Sequence, residues 1–170
     1  AVLGGNTTSP FFQPPVPEKL EGGEVEESQM LGVFSWGGSR LAVAVTTADD
    51  SAVRFEEGSS PTRISTVNVA RIVFKPVPER YRARLAAQRT GVLLTNGDFI
   101  EGELQELKTD WLTINSVLFG IKVYGRGEVI ALVLGKIADK PVRSAKYEVR
   151  LENGSLLFAR RFKLGKGSVE

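Results

Sequence analysis

The sequence predicts a mainly β chain: two consecutive small barrels joined by a short helix, followed by the first hairpin of a third unit. Three observations predict it. Short apolar runs, several of them alternating, are broken by Gly, Asn and Asp turns, as strands of small β domains require. The stretch 91–134 holds about five such runs, enough for one small barrel. Its order of apolar positions is already present in 31–74 and starts again near Tyr147.

Residues 1–29 read as a linker or the end of a preceding domain. Gly4-Gly5, Asn6 to Pro10 and Pro14-Pro15-Val16-Pro17 are loop and extended signals. Phe11-Phe12 is too apolar for a solvated tether and is expected to dock. Pro14 to Pro17 suits a stiff spacer or a ligand for an aromatic groove. Glu21 to Glu27 is an acidic lead-in broken by Gly22-Gly23.

The first barrel is placed at 30–75. Val33-Phe34 is its opening strand, and Gly37-Gly38 its first turn. Trp36 stands before that turn, as a core ring or a binding platform. Leu41 to Val45 is nearly continuous in small apolar residues and is expected to be a strand buried on both faces. Asp49-Asp50 marks the turn before Val53-Arg54-Phe55. Adjacent carboxylates point in alternate directions and make a poor cation cage. Residues 56–61 are a loop, and Arg63 to Thr66 leads to a last strand ending at Phe74.

Residues 76–90 form the connector. Pro78 to Gln88 is rich in helix formers, with Pro78 and Glu79 suited to the first turn. Tyr81 and Leu85 lie four apart on one helical face. They are expected to pack on the barrels, with the arginines outward.

The second barrel spans 91–137. Val92-Leu93-Leu94 leads to Asn96-Gly97, expected as a two-residue hairpin turn with positive φ. Phe99, Ile100, Leu104 and Leu107 follow, and then the alternating Trp111-Leu112-Thr113-Ile114. Residues 115–120 are expected to bend the sheet. Gly125-Arg126-Gly127 reads as a turn, or more weakly as a phosphate-facing loop lacking the Lys-Ser/Thr pair of a P-loop. Residues 138–170 are a basic linker and the opening hairpin of an incomplete unit. Tyr147 to Leu151 and Asn153-Gly154 begin that hairpin, and Phe158 to Leu164 is its next expected strand. Either the sequence is a fragment of a longer chain, which the lack of an initiating Met favours, or this hairpin docks on an earlier unit.

The chain has 0 Cys and 0 His, which removes disulfides, thiol nucleophiles, the usual zinc ligand and every Ser-His-Asp arrangement. No carboxylate or Ser-Lys spacing supports another enzyme. No reaction, cofactor or metal is expected. No segment approaches the roughly 18–20 apolar residues of a membrane span. The formal net charge is +2, unevenly spread: the lead-in is acidic, while the connector and tail are basic. Such patches either bind a polyanion or are solvated surfaces.

Asn96-Gly97, Ile100, Gly102, Leu104, Leu112 and Ile114 resemble the first half of an Sm/Lsm-type motif, and Arg126 to Ile130 its second half. From residue 29 on, the chain is similar to bacterial multidomain proteins built from consecutive small SH3/Sm-like barrels. That resemblance implies an extracytoplasmic protein. The low motif content, the absence of His and Cys and the repeated units point to a non-enzymatic structural or protein-interaction module, its barrels acting as spacers or docking surfaces, whose partners are other protein domains of the same or another chain. Trp36, Trp111, Phe119 and Tyr124 are its candidate partner contacts. The alternative is an Sm-like module for single-stranded RNA, with Asn96, Lys122 and Arg126 as polyanion contacts. The acidic character of the central unit makes nucleic acid the less favoured partner.

Overall fold

The computed structural model describes residues 31–57, 60–86, 89–135, 145–161, 164–165 and 168–169. The readings for 1–30, 87–88, 136–144 and the basic residues Lys163 and Lys166 lie outside them.

The first stretch contains β1 (Gly32–Ser35), β2 (Arg40–Leu41), β3 (Val45–Ala48), β4 (Ala52–Glu57), β5 (Ser60–Ser65), a 3-10 turn (Thr66–Asn68) and β6 (Val69–Val73). A 3-10 turn at Glu79–Tyr81 runs into the short helix α1 (Arg82–Ala86). Then come β7 (Gly91–Leu94), β8 (Phe99–Leu107), β9 (Trp111–Ser116), β10 (Gly120–Gly125), a 3-10 turn (Arg126–Glu128) and β11 (Val129–Val133). The chain continues with β12 (Tyr147–Arg150), β13 (Leu156–Ala159) and the small pair β14 (Leu164–Gly165) and β15 (Ser168–Val169).

The first thirteen strands form one antiparallel sheet. At its centre β6 pairs with β11, Ile72 opposite Leu132, with β1 beyond β6 and β7 beyond β11. The runs Val69 to Val73 and Val129 to Val133 are apolar almost throughout because both faces of these strands are covered. One face joins Val33, Val53, Ile72, Val92, Leu112, Ile114 and Leu132 in a single core drawn from both stretches. The other face packs Phe34, Val73, Leu93 and Val133 beneath Val77, Tyr81 and Leu85 of the connector. The arginines at 80, 82 and 84 stay exposed, as their spacing predicts.

Asn96-Gly97 does make a hairpin, but not by the expected two-residue turn. Only Gly97 has positive φ (91°); the Gly97 N–H donates to the Leu94 carbonyl at 2.9 Å, giving a three-residue loop with glycine in the left-handed position. The same turn is built at Ser35 to Gly38 and at Leu151 to Gly154. Asn96 and Asn153 each accept the N–H two residues on through Oδ1, both at 2.9 Å, which fixes the turn locally.

Three further expectations are corrected. Residues 56–61 are not a loop throughout: β4 runs to Glu57 and β5 starts at Ser60, with Glu56 opposite Pro61, because the ladder continues almost to the turn. Leu41 to Val45 is not one doubly buried strand. The Ala42 N–H donates to Ser155 Oγ at 2.9 Å, and the Val43 N–H turns back to the Leu41 carbonyl at 3.0 Å. The chain therefore leaves the ladder between β2 and β3. The last hairpin has its second strand at Leu156–Ala159, immediately after the turn, rather than at Phe158 to Leu164. It docks on the first stretch: Leu156 pairs with Arg40, and the Phe158 N–H donates to Ser39 Oγ at 3.0 Å. Asp49 sits in a turn as expected, accepting from Ser51, Ala52 and Arg54.

Candidate functional site

The β9–β10 hairpin carries the most exposed apolar surface of the described residues. On β9, Leu112, Ile114 and Ser116 point inward and are buried, so Trp111, Thr113 and Asn115 point outward. The register sets Asn115 opposite Ile121, Thr113 opposite Val123 and Trp111 opposite Gly125. Residues directly opposite share a face, which places Trp111, Ile121 and Val123 on one outer surface. Ile121 is 73% exposed and Val123 63%. The hairpin tip continues the surface with Val117, Leu118 and Phe119 at 76%, 81% and 59%.

Among the described residues, β10 pairs only with β9, so its other edge carries unpaired backbone groups. Two other strands end the sheet. β5 carries Pro61 and exposed Arg63, and β12 carries exposed Glu148 and Arg150. Proline and charge of this kind discourage pairing by another strand. On β10 the only charge is Lys122 and there is no proline.

Two of the four aromatic contact candidates, Trp111 and Phe119, belong to this hairpin. Trp36 does not. It is 47% exposed, so it is no core ring, and it lines a separate cleft of about 260 Å³ with Phe158 and Arg160. Tyr124 lies on the inward side of β10, opposite Leu112, and packs against the main core. Burial, and then the Glu128 carboxylate, push its phenol above the ordinary tyrosine value. It anchors the hairpin rather than facing outward.

The three polyanion candidates do not present a common set of donors. Both side-chain groups of Asn96 are engaged with Asp98. The Lys122 ammonium lies 5.7 Å from the centre of the Phe119 ring. Arg126 is turned into the protein. Its Nη2 donates to the Val45 carbonyl at 2.6 Å, its Nη1 to the Lys108 carbonyl at 3.0 Å, and the guanidinium stands 4.2 Å from the Phe74 ring centre. Gly125 to Gly127 enters a 3-10 turn in which the Glu128 carboxylate accepts the Gly125 N–H at 2.9 Å, so an acidic group caps the turn.

Sequence reasoning reads Ile121 and Val123 only as strand positions of the second unit and does not single out Val117 or Leu118. The available signal was an apolar triplet followed by glycine at a turn, where polar residues are the rule. Among the described residues no helix is long and apolar enough to cross a membrane. The chain matches no family model, no curated protein and no solved structure.

Proposed function

We propose that this chain is a non-enzymatic protein-interaction module of two consecutive small SH3/Sm-like units, which takes up an extended segment of a partner protein along β10. Recurrence of elements supports the two units. β1, the left-handed glycine turn, the broken strand β2–β3, β4, β5, a 3-10 turn and β6 are followed, in the same order, by β7, the same turn, the continuous strand β8, β9, β10, a 3-10 turn and β11. In this reading the units meet through their last strands, β6 and β11, and through Ala48 of β3 opposite Leu107 of β8.

The observation that carries the functional reading is the open β10 edge beside the exposed Ile121 and Val123. An added strand gains main-chain hydrogen bonds from such an edge, and its alternate side chains meet the apolar face. Fully burying a Val or Ile side chain contributes about 1.5–3 kcal/mol. Scaled to the exposed fractions of Ile121 and Val123, the two contribute about 2–4 kcal/mol between them. That is a factor of about thirty to about a thousand in affinity.

Selection of random peptides displayed on phage tests it. Peptides enriched on the wild type should alternate apolar side chains and lose at least about thirtyfold in affinity for Ile121→Lys/Val123→Lys, whose surface positions leave the core intact. Enriched peptides that bind the double variant equally well would refute the assignment.

Single-stranded RNA is the second reading. It is favoured by the position of Arg126 beside the β8–β9 turn, where its N–H donates to the Asp110 carbonyl at 2.8 Å. It draws less support, because Asn96, Lys122 and Arg126 present no common set of donors: Asn96 is engaged with Asp98, Lys122 lies by Phe119, and two Arg126 donors go to protein carbonyls.

A further inference from the structure

The break between β2 and β3 opens a cleft of about 650 Å³ that the interaction reading does not use. A cleft of this size is ample for a small ligand. Its walls are mostly apolar and include Leu31, Val43, Ile72 and Phe74; among the described residues Lys75 and Arg126 supply its charge and no carboxylate lines it.

The two cations are neighbours. The Lys75 ammonium donates to the carbonyl of Gly127, the residue after Arg126. Arg126 is held by Phe74, Val45 and Lys108, which use two of the five guanidinium donors; among the described residues the others have no acceptor. Among the described residues neither cation makes an ion pair. Burial pulls the Arg126 pKa below the ordinary arginine value, the mark of a partly desolvated charge without a counter-charge. A bound anion would offset that cost.

We infer that this cleft binds a small amphiphilic anion, a carboxylate on an aliphatic body, with the carboxylate at Lys75 and Arg126 and the body against Leu31, Val43 and Phe74. A purely polar anion would leave the apolar walls unused. A neutral apolar molecule would leave the two cations uncompensated.

Calorimetric titration of the whole chain with decanoate tests this, with decanol as the uncharged match. Decanoate should bind with a Kd below about 1 mM, and decanol at least about tenfold more weakly. Lys75→Met, at a partly exposed position, should weaken decanoate about tenfold, the worth of one charge-assisted hydrogen bond. Ala44→Trp, which sets an indole on the cleft wall, should abolish binding while the circular dichroism spectrum and melting profile stay native. In amide NMR spectra the shifts on adding decanoate should centre on Ala42 to Val45, Phe74 and Lys75. The inference is overturned if decanoate does not bind, if decanol binds as tightly, if natively folded Ala44→Trp retains affinity, or if the shifts centre on β9–β10.

Discussion

Gly97→Ala should destabilise the protein through two separable effects. The first is local: φ at Gly97 is +91°, in the left-handed region, which costs an L residue about 1–2 kcal/mol. The second is a contact with the connector. An added Cβ would stand 2.5 Å from Cε1 and Cζ of Tyr81 and 2.8 Å from its hydroxyl. The ring cannot swing clear without disturbing its packing, since Tyr81 is buried with Leu85 and Leu93. Overpacking of this kind costs about 1–3 kcal/mol, so the substitution should cost about 2–5 kcal/mol in all. Tyr81→Leu removes the three atoms concerned. In that background Gly97→Ala should cost only the backbone part, about 1–2 kcal/mol, leaving a coupling of about 1–3 kcal/mol. Urea unfolding followed by fluorescence of Trp36 and Trp111 measures all four corners of the cycle. Equal costs in the two backgrounds would refute the claim that the connector presses on this turn.

Two further predictions concern charge. The Asp49 carboxyl is held well below the usual carboxylate range, first by the Ser51 hydroxyl, then by Arg54 and the Ala52 and Ser51 N–H groups. A depressed folded pKa gives stability above the ordinary Asp value that is lost as pH falls toward the folded one. The Tm gap between wild type and Asp49→Ala should therefore be constant near neutrality and narrow below about pH 4; a constant gap down to about pH 2 would contradict this. Single-stranded RNA, measured by fluorescence anisotropy at about 50 mM salt, should not bind at micromolar concentration. Binding that weakens at about 200 mM salt and with Arg126→Ala would restore the RNA reading.

Much of the fold was legible in the residues. The β class, the positions of β6 and β11 and the burial of Tyr81 and Leu85 followed from apolar spacing. The three hairpin turns of the shared left-handed type were marked by their glycines at 38, 97 and 154. What misled was competition from distant partners. Leu41 to Val45 has the composition of a buried strand, but Ser155, far along the chain, takes the Ala42 N–H and draws that segment out of the ladder. Trp36 has the size of a core residue, yet its place beside a turn leaves it half exposed. The candidate site was harder still. Trp111 and Phe119 were visible as aromatics, but Ile121 and Val123 read as any strand residues until the register showed β10 at an edge. Arg126 looked like a polyanion contact, because no local pattern foretells its carbonyl acceptors on other elements.

The most direct test of the interaction reading is amide hydrogen exchange of the free protein in dilute solution. If β10 is an open edge, alternate amides from Gly120 to Gly125 should exchange almost as fast as in an unfolded chain, while those of β6 and β11 stay protected. Uniform protection along β10 would mean that something already covers the edge, and the proposed docking site would be lost.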